Sequence, residues 1–151
     1  MAKISSYATD KQKTTKGVWV EVSEGLAIKV AYLGSSNTAY QDCVRTLGKP
    51  IRKKLATLTA DADEMNPIIC KAMAKHILLD WRNLEGEDGK SIEYSQAKAE
   101  ELLLAYPEFR DIVQEIATDV SNFRSQDIED QVGNLPKSSA GTSSGESTKA
   151  S

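Results

Sequence analysis

Histidine occurs once and cysteine twice in this 151-residue chain, and those scarcities remove whole classes of chemistry. Cys43 and Cys70 stand far apart, with no second cysteine or histidine at ligand spacing. The pattern suggests neither a zinc site nor a disulfide framework, and both cysteines read as small buried apolar residues. His76 has Asp80 one turn on in a helical reading. No serine or cysteine is spaced to complete a nucleophilic site, so the two read as an ordinary helical pair. A phosphate-binding glycine loop and paired acids in a defined setting are also missing. No enzyme is expected, and no catalytic residue, cofactor or metal. Apolar runs such as "LLLAY" fall far short of the ~18 residues a membrane span needs. A net charge of −3 and a pI near 5.3 give no pull toward nucleic acid or anionic membrane. A soluble, cytoplasmic chain follows as the expectation.

What is present is one ordinary domain: 40% hydrophobic and 27% charged residues, enough for a single modest core. Residues 1–16 and 136–151 are polar and poor in aliphatics, so they read as a disordered N-terminal arm and a disordered C-terminal tail around a body at 17–135. The body opens with "GVWVEVSEGLAIKVAYL", alternating strands across a Ser23-Glu24-Gly25 loop, a β-hairpin over 17–33. Two strands alone are marginal in water. The hairpin must therefore lie on helices or gain strands from another chain, as in a homo-oligomer.

Four helices are predicted after it, giving a mainly α fold with an N-terminal hairpin, α+β in class. The first, about 37–58, has Thr38 and Gln41 at capping-box spacing and breaks near Gly48-Lys49 because Pro50 follows. The second, about 66–84, starts at Asn66-Pro67 and carries Cys70, Ala74, Ile77, Leu78, Trp81 and Leu84 on its apolar face. The third runs from Ser95 to Tyr106, where Pro107 stops it, about 95–106. The fourth, about 107–132, sets Phe109, Ile112, Val113, Ile116, Val120 and Phe123 at spacings of three and four, then continues more weakly through Ile128 and Val132.

Between the second and third helices lies "EDGKSIEYS", similar at first sight to the second half of an EF-hand loop. With Gly89 at position 6, Leu84 falls at position 1, Gly86 at 3 and Ser95 at 12, so only Asp88 is a correctly placed ligand. The segment reads instead as a connector turned at Asp88-Gly89. Two groups of residues remain as candidate partner contacts. Arg45, Lys49, Arg52, Lys53 and Lys54 crowd a short run, but no aromatics interleave and "DADE" follows at 61–64. A solvated helix face, or a site for an acidic protein surface, fits better than nucleic acid. Trp81, Tyr94 and Tyr106 flank the connector and the proline break, as interface anchors or as the edge of the core.

Taken together, "ILLDWRNLEGEDGKSIEYS", the leucine-rich helix, "YPEFRDIVQEIATDVSNFR" and "NLPKSSAG" resemble the tail assembly chaperones of long-tailed bacteriophages over about residues 66–141. The N-terminal hairpin and basic segment are similar less specifically. The resemblance implies a non-enzymatic protein of the host cell cytoplasm. It would bind the tape-measure protein, keep that long apolar helical chain soluble during tail morphogenesis, and be left out of the virion. It also implies that a longer, frameshifted form recruits tail-tube protein. The competing expectation is a structural tail or connector component of the virion, oligomeric through its hairpin.

Overall fold

Valines alternating with the more exposed Trp19, Glu21 and Ser23 make β1 (Val18–Ser23), whose inner face is Val18, Val20 and Val22, and β2 (Leu26–Val30) returns antiparallel with Val18 opposite Val30 and Val20 opposite Ile28. The computed structural model describes residues 1–124. Its hairpin turn is two residues long, since Ser23 pairs with Leu26. Glu24 and Gly25 both take positive φ, 50° and 83°, the twist that two-residue hairpins favour. The expected three-residue loop is thus one residue too long.

The hairpin finds its third strand within its own chain. β3 (Leu78–Arg82) pairs antiparallel with β2, Ile28 opposite Trp81 and Ala27 opposite Arg82, giving the order β1-β2-β3. This corrects the helix expected over 66–84. The observed helix, α4 (Ala62–His76), begins four residues earlier and stops at Ile77. Asp61, not Asn66, is its N-cap: the Asp61 carboxylate accepts from the Glu64 N–H while Glu64 reaches back to the Asp61 N–H, a capping box. Pro67 lies inside the helix rather than at its first position.

The arm expected to be disordered at 1–16 is also corrected. A 3-10 turn at Ile4–Tyr7 leads to α1 (Lys11–Lys16), capped by Asp10. Thr14 is buried there, and its carbonyl accepts from the Tyr32 N–H at 2.9 Å. The Asp10 N–H donates to the Phe123 carbonyl at 2.8 Å, and Thr9 bridges Arg124, so both ends of the described chain meet. Composition missed these contacts because they are backbone bonds made by polar residues.

α2 (Thr38–Leu47) lacks the Thr38/Gln41 box. Asn37 flanks its start, but the Asn37 amide is buried and donates instead to the Tyr32 carbonyl at 2.9 Å. The chain breaks as Pro50 demands, into a 3-10 turn at Lys49–Ile51 and α3 (Arg52–Ala56). Gly48 permits this elbow, because a Cβ there would stand 2.9 Å from Leu55 and 3.1 Å from the Val44 carbonyl. α5 (Gln96–Ala105) starts at the expected Ser95, whose hydroxyl accepts from the Lys98 N–H. α6 (Pro107–Thr118) ends well before 132 and is followed by a 3-10 turn at Val120–Phe123. Ile128 and Val132 lie outside the described residues.

One core joins these layers. α4 gives Cys70, Met73 and Ala74, and the sheet gives Ile28, Val30, Leu78 and Trp81. α5 and α6 add Ala99, Leu103, Val113 and Ala117, and Phe123 closes the end. The fold is mixed α+β, three strands backed by helices. Among the described residues, no helix is long and apolar enough to cross a membrane.

Candidate functional site

The joint between α5 and α6 creates the most apolar concavity described. Pro107 forces Tyr106 out of helical geometry, to φ −124° and ψ 86°, and begins α6 at a position where its missing N–H costs nothing. Arg110 donates to the Leu103 carbonyl at 3.1 Å, which satisfies an acceptor in the last turn of α5 and fixes the bend. Leu102 and Phe109, on either side of the bend, form one wall of a pocket of about 310 Å3.

The opposite wall is the connector after β3. Leu84 and Ile92 face the pocket, paired by an Ile92 N–H donating to the Leu84 carbonyl at 2.8 Å. Beyond them Glu85 bridges Ser91, and the Gly86 N–H donates to the Lys90 carbonyl, so the "EGEDGK" segment is a small pinned hairpin. Two aromatics hold it. Trp81 Nε1 donates to the Ile92 carbonyl at 2.7 Å, and the Tyr94 hydroxyl donates to the Leu78 carbonyl at 2.7 Å. Their rings meet edge to face with centroids 4.9 Å apart. Burial, with Asp80 nearby, raises the Tyr94 pKa, so its phenol keeps its proton for that bond.

The rim is acidic. Glu85, Glu87 and Glu108 line the mouth, and the Tyr106 hydroxyl stands 3.4 Å from Glu87. Tyr106 is 46% exposed, with Leu104 and Ile112 exposed nearby along α5 and α6. The arrangement is a groove of apolar floor and anionic lip that can take an amphipathic segment.

Of the eight residues singled out from sequence, one, Tyr106, lines this groove. Trp81 is 5% exposed and, with Tyr94, braces the wall from behind. Arg45, Lys49, Arg52 and Lys53 lie elsewhere, exposed on the elbow of α2 and α3. There Arg45 pairs with Asp42 at 2.7 Å, and Lys54 pairs with Glu64. Sequence reading missed Leu84, Ile92, Leu102 and Phe109 as a set. The signal was the proline break itself, which turns flanking apolar residues toward each other.

His76 and Asp80 do not form a helical pair, because Asp80 is on β3, where its carboxylate accepts from the Trp81 N–H at 2.8 Å. His76 instead shares a shallow cleft with Cys43, Asp42, Thr46 and Lys75. Burial, with Lys75 beside it, lowers the His76 pKa. Cys43 is half-buried and Cys70 fully buried, and both are free thiols. No group of three or more His, Cys, Asp or Glu among the described residues could hold a metal ion.

A family model described as YdaY prophage protein matches residues 35–134, about two thirds of the chain. The chain belongs to the YdaY prophage protein family. The match takes in α2 to α6, β3 and the whole groove, and leaves β1 and β2 outside it. No curated protein and no solved structure matches. The phage character expected from sequence therefore stands as YdaY family membership.

Proposed function

We propose that this YdaY family protein is a non-enzymatic phage tail assembly chaperone that holds an amphipathic helix of the tape-measure protein in the groove at the α5–α6 joint. The observation that carries the reading is the groove's make-up: Leu84, Ile92, Leu102 and Phe109 below, exposed Tyr106 at the side, and Glu85, Glu87 and Glu108 around the mouth. Such a groove suits a helix with an apolar stripe and basic flanks, the helix-in-groove mode of recognition. The client's identity comes from the resemblance over residues 66–141, which spans the elements that build both walls. The activity needs no cofactor and belongs to the host cytoplasm before the tail tube polymerises.

The alternative, a virion component joined through its hairpin, is left with one edge of the sheet, that of β1. The hairpin already has β3 beside it, and two backbone groups of β3, the Trp81 N–H and the Leu78 carbonyl, are taken by Asp80 and Tyr94. The test is capture of a tagged copy co-expressed with the phage tail genes, beside mass spectrometry of purified particles. The chaperone reading expects the tape-measure protein in the capture, its loss with Tyr106→Asp at unchanged melting temperature, and no chain in particles. Stoichiometric chain in particles, or capture unaffected by Tyr106→Asp, overturns it.

A further inference from the structure

The elbow between α2 and α4 is a second surface, opposite in character to the groove. Leu58 stands at its tip, 91% exposed, with φ 60°, a left-handed conformation that leucine rarely adopts. It is held there. The Thr57 N–H donates to the Lys53 carbonyl at 3.0 Å, the Thr59 N–H to the Lys54 carbonyl at 2.8 Å, and the Thr57 and Thr59 hydroxyls meet at 2.9 Å. The Lys54–Glu64 pair ties the elbow to the capping box of α4. Beside this fixed knob, Lys49, Arg52 and Lys53 are exposed, and no ion pair reaches them among the described residues. The same holds for Glu85, Glu87 and Glu108 at the groove. An exposed apolar side chain on an elbow that also carries three exposed cations complements an apolar pocket whose lining includes three carboxylates.

We propose that the elbow of one copy docks in the groove of a second copy, Leu58 entering between Leu84, Ile92, Leu102 and Phe109 while Lys49, Arg52 and Lys53 face the glutamates. The two patches differ, so each copy offers one elbow and one groove, and the contact closes as a reciprocal two-fold dimer or a ring, or extends as an open chain. The left-handed backbone at Leu58 belongs to the C-terminal cap of α3, where the Leu58 N–H donates to the Leu55 carbonyl and the Thr59 N–H to the Lys54 carbonyl; leucine in place of the usual glycine there leaves an apolar side chain at the tip. The contact uses the groove assigned above to a client helix but requires no client, so the two readings fail separately.

Sedimentation velocity of the full chain over a concentration series tests it. The wild type is expected to associate, less so as salt rises, because the rim pairs are screened. Leu58→Asn, which suits the left-handed backbone, should leave the fold at least as stable yet give a monomer. Arg52→Glu with Lys53→Glu, and separately Glu85→Lys with Glu87→Lys, should each be monomeric, and mixing the two variants should restore association through both reversed and native pairings. A wild type monomeric at every concentration, association undiminished by Leu58→Asn, or a mixture that stays monomeric overturns the proposal.

Discussion

Trp81 shows how one side chain can serve stability and a site together. Its ring lies against Ile28 across the β2–β3 pair, its edge meets Tyr94, and its indole N–H holds the groove wall through the Ile92 carbonyl. Trp81→Ala should therefore destabilise the protein by about 3–5 kcal/mol, as loss of a large buried aromatic does. Trp81→Phe keeps the ring packing and loses the hydrogen bond, for about 1 kcal/mol; chemical denaturation of both variants checks the order. The more informative comparison is binding of the proposed client helix by the Phe variant at a temperature where it is fully folded. A loosened wall weakens binding there, and unchanged affinity would show that the Leu84–Ile92 pairing suffices. His76 offers a second test, because it is the chain's single histidine and its NMR signal is unambiguous. Burial and Lys75 lower its pKa in the fold, so below the ordinary value of about 6.5 the unfolded chain takes a proton first. Stability contributed by neutral His76 is present above that value and is lost as pH falls through the lower folded pKa. His76→Gln should flatten the melting temperature over that window, and a His76 titration midpoint at or above the ordinary value would contradict the argument.

At the scale of elements, the helix that caps itself was misread, and the reason is local. Asn66-Pro67 carries every mark of a helix start, yet Asp61 and Glu64 make a reciprocal box five residues earlier and the helix runs through the proline. Asp61→Ala should cost about 1 kcal/mol. Glu64→Ala should cost more, because it removes both an arm of the box and the partner of Lys54, and thermal melts of the two variants beside the wild type decide the ranking. The strand that follows was illegible for a different cause. Ile77, Leu78 and Trp81 fit a helical face as well as a short buried strand, and periodicity cannot separate them over five residues. What decides is the open side of β2, whose backbone groups need a partner that only tertiary structure supplies. By contrast, the β1–β2 hairpin, the break at Pro50, the helix start at Ser95 and the stop before Pro107 were all legible, since each rests on chemistry within a few residues. The groove was half legible for the same reason: Tyr106 beside the proline could be picked out, while Leu84 and Ile92 reach the site through a fold-back pinned from behind.

The whole molecule sets a condition on the family match that the match itself does not express. Residues 35–134 contain the groove and the elbow, but the core they enclose is completed from outside that range. Ile28 and Val30 are fully buried against the helices, β3 has β2 as its pairing partner, and the Ala31 N–H donates to the Ile77 carbonyl at 2.8 Å where α4 passes into β3. The Leu33 N–H likewise donates to the Ala117 carbonyl at 2.9 Å, tying the hairpin's exit to α6. Removing residues 1–34 would leave β3 as a lone strand, expose the apolar faces of α4 and α6, and orphan buried carbonyls at about 1–3 kcal/mol each. A domain of this size has a net stability of only about 5–15 kcal/mol, so these losses exceed what it can absorb. The fragment 35–151 is accordingly expected to lack a cooperative thermal transition by circular dichroism and to bind no client, whereas removing only residues 1–8, which end before Asp10 and Thr14, should leave the transition close to that of the full chain. Cooperative melting of the 35–151 fragment near the full chain's temperature would mean that the helices form a core without the hairpin. The β1–β2 pair would then be an accessory laid on a self-sufficient helical body, and the groove's walls would owe their rigidity to Trp81 and Tyr94 alone.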